Sequence, residues 1–127
     1  MLEQIEKAYE AYEIQKDAAA IFKSCLIEQS EPRPVKISTE EEYQEYLAQM
    51  ERYNEYNINH AKYVKMLRDC ESLAKNVVAV IPVQQVWFRV GDKAVAKCWD
   101  TWGGGHYELR VTNWSNDLPK IEQRYYA

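Results

Sequence analysis

Residues 77–113 read VVAVIPVQQVWFRVGDKAVAKCWDTWGGGHYELRVTN, and this stretch decides the fold class. Upstream of it apolar residues recur every three or four positions, as on a helix face; within it they alternate, as on a strand. Val77-Val78-Ala79-Val80-Ile81 is β-branched and apolar, which reads as a buried strand or a strand-like exit that Pro82 ends or confines to an edge. Gln85 to Val90 alternates, Gly91-Asp92 is a turn signal, Ala94 to Thr101 alternates again, and Gly103-Gly104-Gly105 turns the chain into His106 to Asn113. The expectation is a three- to four-stranded antiparallel β-meander over 77–114, with residues 115–127 as a C-terminal arm ending in Tyr125-Tyr126-Ala127.

Two registers stay in tension here. A two-residue turn at Gly91-Asp92 would pair Phe88 with Val95. The hydrophobic pattern instead favours Val86, Phe88 and Val90 on the side of Ala94, Ala96 and Cys98, and we prefer the pattern. At the second turn, pairing Trp102 with Gly105 sets Cys98 opposite Leu109 and gives one apolar face; pairing Trp102 with His106 sets Cys98 opposite Arg110. The apolar face favours the first. On that reading Trp87, Arg89, Lys97, Trp99 and Arg110 share the opposite face. Tryptophan beside arginine suits a partner hot spot or a stacking site for a nucleotide.

Working back toward the N-terminus, residues 3–28 read as a helix. Ile5, Ala8, Tyr12, Gln15, Ala19, Phe22 and Leu26 follow a three–four spacing. A connector with Pro32-Arg33-Pro34 stops it. A second helix starts at Ser38 or Thr39, where Ser38 with Glu41, or Thr39 with Glu42, forms a capping box. Tyr43, Tyr46, Met50, Tyr53, Asn57, His60, Val64, Leu67 and Ala74 carry its helical spacing. It reaches about Lys75, with Asn76 as terminator and a weak point at Asn54, Asn57 and Asn59. The fold expected is α+β: two long antiparallel helices, a helical hairpin over 1–76, followed by the sheet, in a single domain of 127 residues.

Composition narrows the function classes. The formal net charge is −4, and residues 1–76 hold ten Lys/Arg against fifteen Asp/Glu while residues 77–127 hold six against five. An acidic helical half argues against direct nucleic-acid binding. Residues 38–60 hold six Glu and one Arg, a density that could mimic a phosphate backbone or simply be a solvated face. The three cysteines, Cys25, Cys70 and Cys98, are far apart, with no CxxC and no Cys/His spacing for zinc. No metal or cofactor site is therefore expected. No signal peptide or membrane-length apolar run is present, so the expected location is the cytoplasm.

One constellation invites a catalytic reading: Cys98, Asp100 and His106, a thiol with a base and an orienting acid. The preferred register points His106 away from Cys98, which leaves Cys98 as a core residue and the chain as a non-enzyme. His60 reads as a hydrogen-bonded residue of the helix seam. The strongest signal is aromatic: ten tyrosines and four tryptophans. Tyr43, Tyr46, Tyr53, Tyr56 and Tyr63 stud one helix, and tyrosine suits half-buried and interface positions. The function expected is protein–protein interaction by a small acidic adaptor or inhibitor, a type common among phage-borne inhibitors of host machinery. Its partner is another protein, and it forms a homodimer through the helices. Nucleotide binding by the Trp/Arg face is the alternative, with acidic mimicry behind it.

Overall fold

The computed structural model of the chain describes residues 1–33, 36–101 and 104–122. Pro34 of the connector, Trp102 and Gly103 of the second turn, and the Tyr125-Tyr126-Ala127 tail lie outside the described residues. The class is α+β: α1 (Leu2–Ser24), α2 (Glu40–Val80), β1 (Phe88–Val90), β2 (Lys93–Asp100) and β3 (His106–Asn113). The three strands form one antiparallel sheet in the order β1-β2-β3. The chain divides into two compact units, residues 1–16 with 69–127, and residues 17–68.

Local chemistry sets the helix ends. Thr39 is the cap of α2: its Oγ1 accepts from the Glu42 backbone N–H at 3.1 Å, while Glu42 reaches back to Ser38 N and Oγ at 3.3 and 3.2 Å. Of the two boxes the sequence offers, the forward half of the Thr39–Glu42 box forms, and the returning Glu42 carboxylate bonds Ser38 instead of Thr39. The end of α1 tightens through bonds from Cys25 N to Phe22 O and Leu26 N to Lys23 O, so the helix stops at Ser24, four residues short of the expected end.

The expected strand at Val77–Ile81 is corrected: Val77–Val80 belong to α2, which runs without a break through Asn54, Asn57 and Asn59 and past Asn76. The partly buried positions explain why. They recur at Tyr46, Met50, Tyr53, Tyr56, Asn59, Tyr63, Met66, Cys70 and Leu73, and the fully buried Val77 continues the same three–four spacing. Packing along one stripe outweighs the modest helix penalty of valine. Pro82 then ends the helix.

In the unit of residues 1–16 and 69–127, Ile5 and Tyr9 of α1, Val77 of α2, Ile81 and Val95 of β2 form one buried cluster, flanked by Phe88, Val90 and Leu109. A second cluster, on the other face of the sheet, joins Ala96 and Cys98 to Ile121, with Trp87 against it. Trp87 Nε1–H donates to the Pro119 carbonyl at 2.9 Å, so the segment after β3 is tied across that face. The central strand is thus covered on both sides, and Ala94, Val95 and Ala96 are all fully buried.

That double cover corrects both expected registers. Phe88 pairs with Val95 and Val90 with Lys93, as the two-residue turn demands; Gly91 sits at φ 61°, a conformation that glycine adopts freely. With both faces buried at Ala94-Val95-Ala96, hydrophobic alternation carries no register information and turn geometry decides. Between β2 and β3 Cys98 lies opposite Glu108, not Leu109, and Asp100 lies opposite His106.

Candidate functional site

Directly opposed residues share a face of a sheet. The register therefore sorts the strand residues into two sets. Phe88, Val95, Lys97, Trp99, Tyr107, Leu109 and Val111 lie on one side; Arg89, Ala94, Ala96, Cys98, Asp100, His106, Glu108, Arg110 and Thr112 lie on the other. The shared face expected for Trp87, Arg89, Lys97, Trp99 and Arg110 is corrected accordingly: Lys97 and Trp99 lie on one side, Arg89 and Arg110 on the other. Trp87 packs against the Ala96–Cys98–Ile121 cluster.

Lys97 and Trp99 instead join Tyr107. The Trp99 and Tyr107 rings meet edge-on at 5.0 Å, and the Lys97 ammonium stands 4.8 Å from the Tyr107 ring centre. Gly105 makes room for this packing. A Cβ there would come within 2.6 Å of Trp99 Cζ2, and its φ of 91° already favours glycine. Arg89 turns to the Trp114 ring, 5.3 Å away, and bonds the Gly91 carbonyl at 3.1 Å.

The other face gathers the titratable side chains. Cys98, Asp100 and His106 do share it, though by a register different from either one considered above. Cys98 is fully buried and lies opposite Glu108 rather than His106. The acidic pair with the imidazole is the tighter grouping: donor atoms of Asp100, His106 and Glu108 lie within 4.8 Å of one another. His106 Nε2 is 3.4 Å from Glu108 Oε1, and Arg110 Nη1 is 2.6 Å from Glu108 Oε2. Asp100 is only 1% exposed, the one buried charged side chain among the described residues. Burial works to lower the Arg110 pKa, but the hydrogen bond to Glu108 and the nearby Cys98, Glu108 and Asp100 together raise it, so the guanidinium stays charged. Arg110 Nη2 is buried and has no hydrogen-bond partner among the described residues.

Sequence spacing alone hides this grouping, because Asp100 and His106 sit in different strands. The available signal was parity: any register pairing Asp100 with His106 brings 98, 100, 106, 108 and 110 to one side.

Each of the two units holds a cavity. One, of about 720 Å3, runs beside the edge strand β3 between Tyr12, Glu71, Lys75 and Val78 on one side and residues 106–109 on the other. The second, of about 320 Å3, lies within residues 17–68, between Phe22, Cys25 and Leu26 and Arg52, Tyr56 and Asn59.

The helical tyrosines divide. Tyr46, Tyr53, Tyr56 and Tyr63 are half-buried and Tyr43 is exposed. His60, expected in the seam, is exposed and touches only the Tyr56 ring among the contacts described, at 5.8 Å. Among the described residues no helix is long and apolar enough to cross a membrane. No family model matches the chain, and neither do any curated protein or any solved structure.

Proposed function

We propose that the chain is a non-catalytic protein-interaction module whose contact surface is the helical unit of residues 17–68, and that this surface first joins two copies of the chain. The support is a burial imbalance. Among the described residues of that unit only Ala19 is buried, while Ile21, Ile27 and Ile58 are 66%, 75% and 59% exposed. Isolated exposed apolar residues are ordinary, but several on the same stripe are not. Ala18 and Ile21 on the exposed side of α1, with Cys25 just past its end, follow a three–four spacing. Tyr43, Leu47, Ile58 and Ala61 fall on one side of α2, at spacings of four, eleven and three.

Covering such stripes contributes about 25 cal/mol per Å2 of apolar surface removed from water. A twofold axis lets a single patch cover itself, which is why a second copy is the first partner. In this reading α1 and α2 act as antiparallel partners, and the half-buried Tyr46, Tyr53, Tyr56 and Tyr63 support the outer stripe from within.

Sedimentation and native mass spectrometry test the reading. The wild-type protein is expected to weigh as a dimer at micromolar concentration. Ile21→Glu with Ile58→Glu should give a monomer of unchanged helical circular dichroism, since both side chains are mostly exposed. A wild type that stays monomeric up to hundreds of micromolar overturns the proposal.

A further inference from the structure

We propose that Asp100, His106 and Glu108 bind one divalent transition-metal ion of the zinc class. The inference starts from register. Asp100 and His106 are direct cross-strand partners, and Glu108 stands two residues along β3 on the same face. This geometry is fixed by the backbone and leaves only side-chain rotation to close the site. The donor atoms already converge within 4.8 Å. The 3.4 Å between His106 Nε2 and Glu108 Oε1 matches the edge of a coordination tetrahedron, about 3.3 Å for ligands at 2.0–2.1 Å from zinc. The exposed His106 ring supplies most of the remaining movement.

Charge points the same way. Asp100 and Glu108 bring two carboxylates to this face, and Arg110 is the cation held against Glu108. Asp100 is almost fully buried and already has the Arg110 cation nearby, and two carboxylates against that one guanidinium leave this face able to take up a dication. Glu108 need not give up Arg110 to bind: Oε2 holds the guanidinium while Oε1 faces His106. Arg110 then serves as the outer partner that orients a ligating carboxylate.

The donor set selects the metal. One imidazole nitrogen and two carboxylate oxygens suit Zn2+ over the all-oxygen preference of Ca2+ and Mg2+, and over Mn2+ by the usual affinity order. Three protein ligands leave at least one position for water, as in sites that are not purely structural. His106 and Glu108 also line the 720 Å3 groove beside β3, so solvent reaches the site.

The test is titration of the metal-free chain with Zn2+ by calorimetry, alongside Mg2+ and Ca2+, with Co2+ as a spectroscopic probe. One Zn2+ per chain is expected, with Mg2+ and Ca2+ at least about 10-fold weaker. His106→Ala, a change at a half-exposed side chain, should weaken Zn2+ binding at least about 10-fold, in the range that loss of a metal's supporting groups produces, and should abolish the rise in Tm caused by Zn2+. Asp100→Asn should do the same where it folds, and the His106 variant keeps the test decisive where it does not. The Co2+ form should show visible bands without thiolate charge transfer. Any of three results overturns the proposal: no saturable stoichiometric binding, binding unchanged in His106→Ala, or a thiolate band that disappears in Cys25→Ser. The dimer proposed above is independent of all three, since its surface lies in residues 17–68.

Discussion

Single residues carry three sharp tests of the packing. Gly91 and Gly105 both have positive φ, but only Gly105 is also enclosed. Gly105→Ala is expected to cost about 2–3 kcal/mol in urea unfolding, from backbone strain plus the overlap with Trp99, against about 1–2 kcal/mol for Gly91→Ala, which meets open space. Equal costs would mean that Trp99 does not pack on this turn. Tyr9 offers a pH signature. Its phenol is pushed from 10.0 up to about 12, first by burial and then by Glu13, Tyr12 and Asp92. The fold thus favours the neutral phenol. Its contribution is complete below pH 10 and falls as pH rises toward 12, by on the order of 2 kcal/mol. Tyr9→Phe should flatten the loss of urea stability between pH 10 and 12 relative to wild type. The thiol of Cys70 is likewise raised, mainly by burial and then by Asp69, so it should react more slowly with alkylating reagents than the exposed Cys25.

At the scale of elements, the cap of α2 shows where local sequence was sufficient, and its far end and the strand registers show where it was not. The cap at Thr39 was legible because its bond to the Glu42 N–H is a local hydrogen-bond pattern with a fixed spacing. Thr39→Ala should cost about 1 kcal/mol by denaturant unfolding. Asn76 gives a prediction whose sign separates two readings. As a helix terminator its replacement by alanine would destabilise; within α2, where it is exposed, Asn76→Ala should stabilise by roughly 0.5 kcal/mol. The seam of α1 was equally legible. Ile5 and Ala19 are buried, and Ala8, Tyr12, Gln15, Phe22 and Leu26 are half-buried, as a three–four spacing requires. On α2 the expected face includes Asn57, His60 and Leu67, which are exposed, because tyrosines and asparagines blur the contrast between faces. The sheet registers failed for a related reason: Ala94-Val95-Ala96 is apolar on both sides, so only the two-residue turn at Gly91 could place β1.

At the scale of the whole molecule, the helical unit 17–68 and the unit of 1–16 with 69–127 differ in how they are held. The second carries both buried clusters; in the first only Ala19 is buried among the described residues. If two copies cover each other's helices, the Tm should rise with protein concentration, and Ile21→Glu with Ile58→Glu should remove that dependence. Ile5→Ala, by contrast, should lower stability by about 2–5 kcal/mol at every concentration, because Ile5 lies fully inside the Val77–Ile81–Val95 cluster.

Sequence by itself determined the α+β class, the order of helices before strands, the three hydrogen-bonded strands, the turn at Gly91-Asp92, the cap of α2 and the seam of α1. Each of these rests on interactions between residues near in sequence, where period, cap and turn chemistry are written in adjacent letters. Tertiary structure alone decided that Val77–Val80 extend a helix, that Lys97 and Trp99 part from Arg89 and Arg110, and that Asp100 meets His106 and Glu108. Those outcomes depend on which surfaces cover the element from elsewhere in the chain. A strand shielded on both faces, or a helix end buried against α1 and β2, obeys its neighbours in space more than its own propensity.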